Sequence, residues 1–173
     1  MIKSMFAAIA AMVAFTTAPA MADDFAGARV GVTAGLDRQA HQNGLQVGAV
    51  AGYDVKVAGP IRLGVEATIA ESTTDFFGAV HSNFDLGVNA RLGVKVVGPV
   101  LAFGKIGYAR TDYGLLGTTL TQQGLRYGGG VEVAVTDHVY ATAEYVRTNY
   151  GTDAFVGRPP ARDLIQVGAG LRF

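Results

Sequence analysis

The sequence predicts an all-β protein: an eight-stranded antiparallel up-and-down transmembrane β-barrel. Apolar side chains recur at every second position through eight segments of roughly ten residues, which is the periodicity of β-strands. The connections between these segments alternate strictly between short and long. The composition agrees, because only 16% of the 173 residues are charged and 24 are glycine. Ordinary domains have about 25% charged residues and about 7% glycine.

The first 22 residues have the pattern of a secretory signal peptide. Lys3 supplies the positive start, the segment 5–13 is apolar, and Ala20-Met21-Ala22 forms a cleavage site. The apolar run is shorter than the ~20 residues that a spanning helix needs, which disfavours a membrane anchor. We therefore expect residues 1–22 to be removed and residues 23–173 to form a single exported barrel domain.

The eight segments differ in how clearly they alternate. In one of them Leu101 and Phe103 fall on the same face as Lys105, which blurs the pattern. The segments are 28–35, 45–57, 61–69, 84–96, 100–110, 125–135, 139–145 and 165–173. The short connections are 58–60, 97–99 and 136–138. The long ones span about 36–43, 71–82, 111–122 and 149–161.

The two faces of these strands indicate a membrane as the surroundings. A soluble antiparallel sheet turns a polar, charged face to water, whereas the polar face here is glycine with isolated charges. Strands of about 9–11 residues fit a tilted membrane span. A sheet in lipid has to close, since each unpaired backbone group costs several kcal/mol. An eight-stranded barrel is narrow and its interior is just filled by side chains, so the lumen-facing glycines leave room for Arg and Glu.

Outward aromatic side chains are placed where membrane interfaces are expected. Phe84, Tyr108, Tyr127 and Tyr145 fall toward the long-connection ends of their strands, and Tyr53 toward a short-connection end.

Short glycine-rich and aromatic motifs extend through residues 26–173. They are Gly52-Tyr53-Asp54, Leu63-Gly64-Val65-Glu66, Asn89-Ala90-Arg91-Leu92-Gly93, Lys105-Ile106-Gly107-Tyr108-Ala109, Gly128-Gly129-Gly130-Val131-Glu132, Ala143-Glu144-Tyr145 and the ending Val167-Gly168-Ala169-Gly170-Leu171-Arg172-Phe173. On these motifs the chain resembles the small outer-membrane β-barrel proteins of Gram-negative bacteria. This is the opacity/porin-like family, which is similar to the OmpA transmembrane domain.

The resemblance implies a location and partners. It implies a surface protein of the Gram-negative outer membrane, with short periplasmic turns, longer extracellular loops, and outer-membrane lipid and lipopolysaccharide around it. It also implies that the barrel-assembly machinery reads the alternating C-terminus, Val167, Ala169, Leu171 and Phe173. The functions of the family are diverse, and no residue-level activity carries over.

Six charged residues are predicted to face the lumen: Glu66, Arg91, Lys105, Arg126, Glu132 and Glu144. Adjacent strands would pair Glu66 with Arg91, and Lys105 or Arg126 with Glu132 and Glu144. Buried charges are costly unless they are paired and hydrogen-bonded. The pattern therefore favours a structural ion-pair network that closes the barrel, and the alternative is a gated or selective pore.

The sequence does not indicate an enzyme, a metal site, a cofactor or a nucleic-acid partner. It has no cluster of Lys and Arg, as a nucleic-acid binder would, and no Cys. His41, His81 and His138 lie in separate connections. A barrel lipase would use Ser with His and an acid, but Ser82 directly follows His81, so on a strand the two side chains point to opposite faces.

The long connections are expected to carry the specific biology. Phe76 and Phe77 lie beside a glycine at one predicted tip, and exposed apolar tips can mark adhesion surfaces; the alternative is that they lie on the rim or dip into lipid. The favoured function is a structural or surface-interaction barrel, serving envelope integrity or adhesion to a host or surface ligand. The alternatives are a small diffusion pore and a soluble, lipocalin-like barrel whose apolar faces point inward.

Overall fold

The computed structural model describes residues 25–39, 42–76, 79–115, 118–151 and 161–173. This part of the chain forms eight strands, each paired antiparallel with the next. β1 also pairs with β8, which closes the sheet into a barrel and confirms the predicted fold. The strands are β1 Gly27–Gln39, β2 Gln42–Ala58, β3 Ile61–Phe76, β4 Ala79–Val97, β5 Val100–Leu115, β6 Thr118–Ala134, β7 Val139–Tyr150 and β8 Arg162–Arg172. Among the described residues, no helix is long and apolar enough to cross a membrane.

The three short connections lie together at one end of the barrel, the turn end. Gly59 and Gly98 adopt φ of +47° and +49°, a left-handed conformation that glycine reaches without a Cβ clash. Each precedes a proline, whose missing N–H costs no ladder bond in a turn. In the third connection the Thr136 hydroxyl accepts a hydrogen bond from the Val139 amide at 3.0 Å. All three short connections fall where the sequence predicts them.

The opposite end, the hairpin end, differs from the prediction. Three of the four predicted long connections are mostly strand: β1 and β2 continue to Gln39 and Gln42, and β3 and β4 to Phe76 and Ala79. β5 and β6 likewise pair up to Leu115 and Thr118. The strands are therefore 11 to 19 residues long. Apolar alternation stops where the membrane stops, but the backbone ladder continues in water, where neither face has to be apolar.

A continuous apolar belt covers the outside of the barrel. Large apolar side chains such as Val32, Val65 and Ile165 are 58%, 60% and 67% exposed, an arrangement that water does not tolerate over so large a surface. Outward polar side chains bound the belt toward the hairpin end: Arg38, Glu71, Arg110, Arg147 and Asp163. The apolar faces thus point outward to lipid, and the lipocalin-like alternative, which needed them inward, is wrong.

The irregular alternation in segment 100–110 has a structural cause. Leu101 and Phe103 are 0% and 8% exposed and lie inside the barrel, where they form an apolar floor at the turn end together with Phe25 and Tyr140. The Phe25 ring, ahead of β1, lies 5.9 Å from Lys95 Nζ on β4. The segment is therefore a regular strand with apolar residues on both faces.

Two lumen glycines show why the interior needs small residues. A Cβ on Gly52 would lie 3.1 Å from Arg29 Nη2, and one on Gly87 would lie 2.6 Å from Arg126 Nη1. The space that these glycines leave is occupied by guanidinium groups.

Candidate functional site

The lumen near the turn end holds a cluster of eight charged side chains, the turn-end cluster. Four are cations and four are anions: Arg29, Arg91, Lys105, Arg172, Asp54, Glu66, Glu132 and Glu144. All lie on the inward face that glycines share, because inward and outward side chains alternate along each strand.

Asp54 and Glu132 are shared by several arginines at the bottom of this cluster. Asp54 Oδ2 accepts hydrogen bonds from Arg29 Nε and Arg91 Nη1 at 3.0 Å each, and from Arg172 at 3.1 Å. Glu132 is 0% exposed and accepts from Arg91 at 2.7 Å and from Arg172 at 2.6 Å. The Arg91 guanidinium also lies 3.9 Å from the centroid of the Phe103 ring, a cation–π distance.

Lys105 joins the remaining two carboxylates. Its Nζ lies 2.9 Å from Glu66 Oε1 and 2.6 Å from Glu144 Oε2. Glu66 also accepts a hydrogen bond from Arg29 at 2.6 Å, and Glu144 accepts one from Gln166. Every carboxylate of the turn-end cluster is thus paired and hydrogen-bonded, the condition under which buried charges are tolerated.

A second cluster, the hairpin-end cluster, consists of Asp37, Asp85, Arg126 and Arg162. Arg126 Nη2 donates to both Asp85 oxygens, at 2.6 and 2.7 Å. Arg162 donates to Asp37, and its Nη1 lies 3.4 Å from Asp85. Neutral groups complete this cluster: Ser72 donates to Asp37 at 2.6 Å and Thr111 to Asp85 at 2.9 Å.

A layer of neutral side chains lies between the two clusters. A cavity of about 20 Å³ is lined there by Thr33, Thr68 and Gln166 with Lys105 and Arg126 at its edges. Another, of about 10 Å³, adjoins Tyr140 and Arg91 in the turn-end cluster; Tyr140 Oη and Arg91 Nε have no protein hydrogen-bond partner. Each cavity has room for about one water molecule, so the lumen around them is filled.

All six lumen residues expected from the sequence are inside the barrel. One expected pair forms, Lys105 with Glu144, but the other pairings differ. Glu66 contacts Arg29 and Lys105 instead of Arg91. In register Glu66 faces Asn89, while Arg91 lies one inward position nearer the turn end. Arg126 lies higher than Glu132 on β6 and contacts Asp85. The sequence shows which face a side chain is on, but height in the barrel depends on strand stagger.

Several residues of the two clusters were not in the expected set. Arg29, Asp54, Asp85 and Arg172 alternate in phase with the lumen glycines, so the same periodicity contains the signal for them. Asp37 falls in a predicted long connection and Arg162 directly after one, ahead of the predicted strand 165–173, so no periodicity marks them as strand residues.

The outer surface carries the expected interface aromatics. Tyr53, Phe84, Tyr108, Tyr127 and Tyr145 are 37–68% exposed. The Tyr145 hydroxyl donates to Asp163 at 2.6 Å, and Asn149 Nδ2 donates to the Tyr127 hydroxyl at 3.3 Å. On β8, Val167, Ala169 and Leu171 face outward, and the Phe173 amide donates to the Ala28 carbonyl at 2.8 Å.

Other candidates lie partly outside the described part of the chain. Phe76 ends β3 by its backbone, whereas its side chain, Phe77, His41 and the side chains of His81 and Ser82 are outside it. Ser72 is 1% exposed inside the lumen. Among the described residues, no group of three or more His, Cys, Asp or Glu side chains is arranged to hold a metal ion.

Comparison with known proteins identifies the family to which this chain belongs. The family model described as "Outer membrane protein beta-barrel domain" matches residues 7–173. Neisserial surface protein A is similar in structure, with a TM-score of 0.61 and 18% identity, over 84% of this chain and 96% of that one.

Two further solved structures are similar. Ail, the attachment invasion locus protein of Yersinia pestis, solved with the heparin analogue sucrose octasulfate, has a TM-score of 0.57 and 15% identity, over 86% of this chain and 97% of that one. The outer membrane enzyme PagL has a TM-score of 0.55 and 12% identity, over 84% of this chain and 99% of that one. No curated protein matches the sequence. The family match over nearly the whole chain, together with the closed eight-stranded barrel and its apolar belt, shows that this chain belongs to the outer-membrane β-barrel proteins of Gram-negative bacteria.

Proposed function

We propose that this outer-membrane barrel is a closed structural and surface-interaction protein and not a diffusion pore. One observation carries the proposal: two paired charge clusters and an apolar floor fill the lumen wherever the structure describes its side chains. The six lumen residues expected from the sequence belong to this filling, and their role in closing the barrel is part of the proposal.

The energetics support a closed lumen. An ion that crossed the barrel would have to displace the pairs Arg91–Glu132 and Arg126–Asp85, both buried. Breaking a buried ion pair by removing one partner costs about 3–5 kcal/mol. The floor adds Leu101 and Phe103, which offer an ion no polar group.

The hairpin end supports a role in surface interaction. β3 and β4 remain paired beyond the polar edge of the apolar belt, up to Phe76 and Ala79, so this hairpin stands outside the membrane. Ail, whose barrel is similar, has been solved with a heparin analogue. We propose that the hairpin ends, including Phe76 and Phe77, contact a host or surface ligand.

Export and assembly complete the proposal. Residues 1–22 are removed before Asp23, and the alternating apolar face of Val167, Ala169, Leu171 and Phe173 is read by the barrel-assembly machinery. Outward Val167 and Leu171 are 60% and 45% exposed, which leaves this face available along a strand. Sequencing the amino terminus of protein from outer membranes tests the cleavage site, and the expected first residue is Asp23.

The fold does not decide between enzyme and non-enzyme, because PagL is an outer membrane enzyme. We propose that this chain is not an enzyme. Its two serines after the leader are Ser72 and Ser82, and the Ser72 hydroxyl is buried and donates to Asp37. Incubating the refolded protein with lipid A and following release of fatty acid tests this; no release above that of a boiled sample is expected.

Conductance of the refolded protein in planar lipid bilayers tests the closed lumen. The wild-type protein is expected to give no sustained current. The doubly truncated variant Arg91→Ala/Glu132→Ala empties the middle of the turn-end cluster and is expected to show brief openings only, because the apolar floor and the Arg126–Asp85 pair remain. An Asp137→Ala variant in an exposed turn is the matched control and is expected to stay silent. Sustained, ion-selective current through wild-type protein would favour the pore.

A further inference from the structure

Three basic side chains lie at the turn-end mouth of the lumen, on the neighbouring strands β2, β3 and β4. They are Lys56, Arg62 and Lys95, and each alternates in phase with the inward side chains of its strand. Lys56 pairs in register with Arg62, and Lys95 lies two residues beyond Gly93, the β4 partner of Arg62. We call these three residues the basic mouth.

The basic mouth is fixed in place by the β2–β3 turn. The Lys95 amide donates to the Pro60 carbonyl at 2.8 Å, and Arg62 Nη1 donates to the Gly59 carbonyl at 3.0 Å. Arg62 is 3% exposed, whereas Lys56 is exposed. The backbone therefore sets where the two lysines start, and their flexible stems allow each ammonium to reach across the mouth.

The charge of the basic mouth is additional to that of the turn-end cluster. That cluster is neutral, because its four cations and four anions bond to each other. The basic mouth lies beyond it toward the turns and adds three positive charges on one side of the barrel. Asp137, an exposed acidic residue at the same end, belongs to the β6–β7 connection on the opposite side. The chemistry of the mouth therefore favours carboxylates, with which lysine and arginine form charge-assisted hydrogen bonds.

The start of the described chain lies at this mouth. Phe25 precedes β1 by two residues, yet its ring lies 5.9 Å from Lys95 Nζ on β4, a cation–π distance. Its side chain is 2% exposed, as part of the apolar floor, and its φ of +68° is uncommon for a residue with a Cβ. Gly27 follows at φ +104°, where a Cβ would collide with the Phe173 carbonyl. Packing at the mouth thus determines where the chain enters the barrel.

Two acidic residues, Asp23 and Asp24, come directly before Phe25 in the sequence. They lie outside the described residues, but covalent geometry limits their distance from Phe25. Consecutive Cα atoms are about 3.8 Å apart, so the Cα atoms of Asp24 and Asp23 are at most about 3.8 and 7.6 Å from that of Phe25. Because residues 1–22 are expected to be removed, these two carboxylates belong to a short chain end that starts beside the basic mouth.

We propose that the basic mouth binds the amino-terminal segment Asp23-Asp24 of the mature chain. The two carboxylates accept charge-assisted hydrogen bonds from the three cations, and Phe25 anchors the segment in the apolar floor. We call residues 23–25 the amino-terminal latch, since they cover the turn-end mouth of the lumen. Cleavage frees this segment, because in the uncut chain Asp23 is joined to the apolar leader. The inference rests on the proposed cleavage before Asp23 and is independent of whether the lumen conducts.

Trimming by an aminopeptidase that removes acidic first residues tests the latch. The protein is refolded in micelles as residues 23–173, so its first residue does not depend on cleavage in the cell. The test variant is Lys56→Gln/Lys95→Gln, which leaves the trimmed segment itself unchanged. The matched control is Arg38→Gln/Arg147→Gln, which removes two positive charges from the outward face at the hairpin end. A boiling-dependent gel shift checks that each variant is a folded barrel.

We expect Lys56→Gln/Lys95→Gln to lose Asp23 at least about tenfold faster than wild type, equal to about 1.4 kcal/mol. The control variant is expected to stay within about twofold of wild type, because its substitutions are far from the mouth. Equal trimming of wild type and the test variant would overturn the proposal, as would an equal acceleration in the control.

Cross-linking of the wild-type protein gives a second measurement that needs no substitution in the mouth. A carbodiimide joins a carboxylate directly to an amine that it contacts, and mass spectrometry of the digest identifies the linked residues. We expect links from Asp23 or Asp24 to Lys56 or Lys95, and the absence of such links would overturn the proposal. Sequencing the amino terminus of protein from outer membranes tests the cleavage site separately, so a failure of cleavage and a failure of the latch give different results.

Discussion

The turn-end and hairpin-end clusters of the lumen contain the same kinds of charged residue, but they are held together in different ways. In the turn-end cluster, Asp54 accepts hydrogen bonds from three arginines and Glu132 from two. In the hairpin-end cluster, Asp37 and Asp85 share Arg162 and rely on Ser72 and Thr111 for further donors. The first cluster is held by redundant ion pairs, and the second by fewer ions and more hydroxyl groups.

The two clusters also differ in how apolar their surroundings are. Below the turn-end cluster lies the apolar floor with Leu101 and Phe25, both at most 2% exposed. Among the described residues, the buried side chains that complete the hairpin-end cluster carry hydroxyl groups, those of Ser72, Thr111 and Tyr150. Charges near the floor are therefore further from water, and breaking their pairs is expected to cost more.

The largest effect is expected for Glu132→Ala. This substitution leaves Arg91 and Arg172 buried with one carboxylate fewer, so the free energy of unfolding should fall by about 3–5 kcal/mol. Urea unfolding in detergent micelles measures it, and Asp137→Ala in the exposed turn is the control. If the free energy of unfolding falls no more than it does for Asp137→Ala, the turn-end cluster does not stabilise the barrel.

A smaller effect is expected for Thr111→Val in the hairpin-end cluster. It removes a donor to Asp85 at 2.9 Å, while Arg126 keeps its two bonds to the same carboxylate, and a hydrogen bond to a charged group contributes about 1.5–3 kcal/mol. The same unfolding titration measures the loss. If it equals or exceeds that of Glu132→Ala, the proposed difference between the two halves is wrong.

Two glycine substitutions compare packing inside the lumen with packing on the outer wall. Gly87→Ala puts a methyl group 2.6 Å from Arg126 Nη1 and Thr68 Oγ1, and overpacking of this kind costs about 1–3 kcal/mol. Gly104→Ala, where the outward space is open, should change stability by no more than about 0.5 kcal/mol. If both variants unfold at the same urea concentration, the space beside Gly87 is not filled by the Arg126 guanidinium.

The smallest effect is expected at the outer rim. Tyr145→Phe removes the hydrogen bond to exposed Asp163, and exposed polar pairs contribute at most about 1 kcal/mol. Comparison with Tyr53→Phe, an exposed tyrosine at the turn end, controls for loss of a hydroxyl. A fall of several kcal/mol for Tyr145→Phe alone would show that the rim is a major source of stability.

Much of this architecture follows from the period of two in the sequence. Alternation alone identifies the strands, the lipid-facing side and the inward position of charges such as Glu66 and Lys105. It does not determine that Glu66 faces Asn89 across the strand pair, because stagger arises from closing the whole barrel. The expected Glu66–Arg91 pairing was wrong for that reason.

Two other features could not be predicted from the sequence, for different reasons. The continuation of β3 to Phe76 leaves no hydrophobic signal, since a strand in water has no face that must be apolar. Phe25 gives no periodic signal either, because it lies ahead of β1 at φ +68° and reaches the floor by a turn of the chain.

The central claim is that the lumen is held as a network of coupled charges, and a double-mutant cycle at Arg91 and Glu132 tests it most directly. The variants are Arg91→Met, Glu132→Leu and the double substitution, each unfolded in urea in the same micelles. We expect the double variant to be more stable than the sum of the single losses implies, by about 1–3 kcal/mol, because each single variant leaves a buried charge with one partner fewer and the double variant removes both charges. Additive losses would contradict it, since they would mean that these two buried charges do not act as a pair.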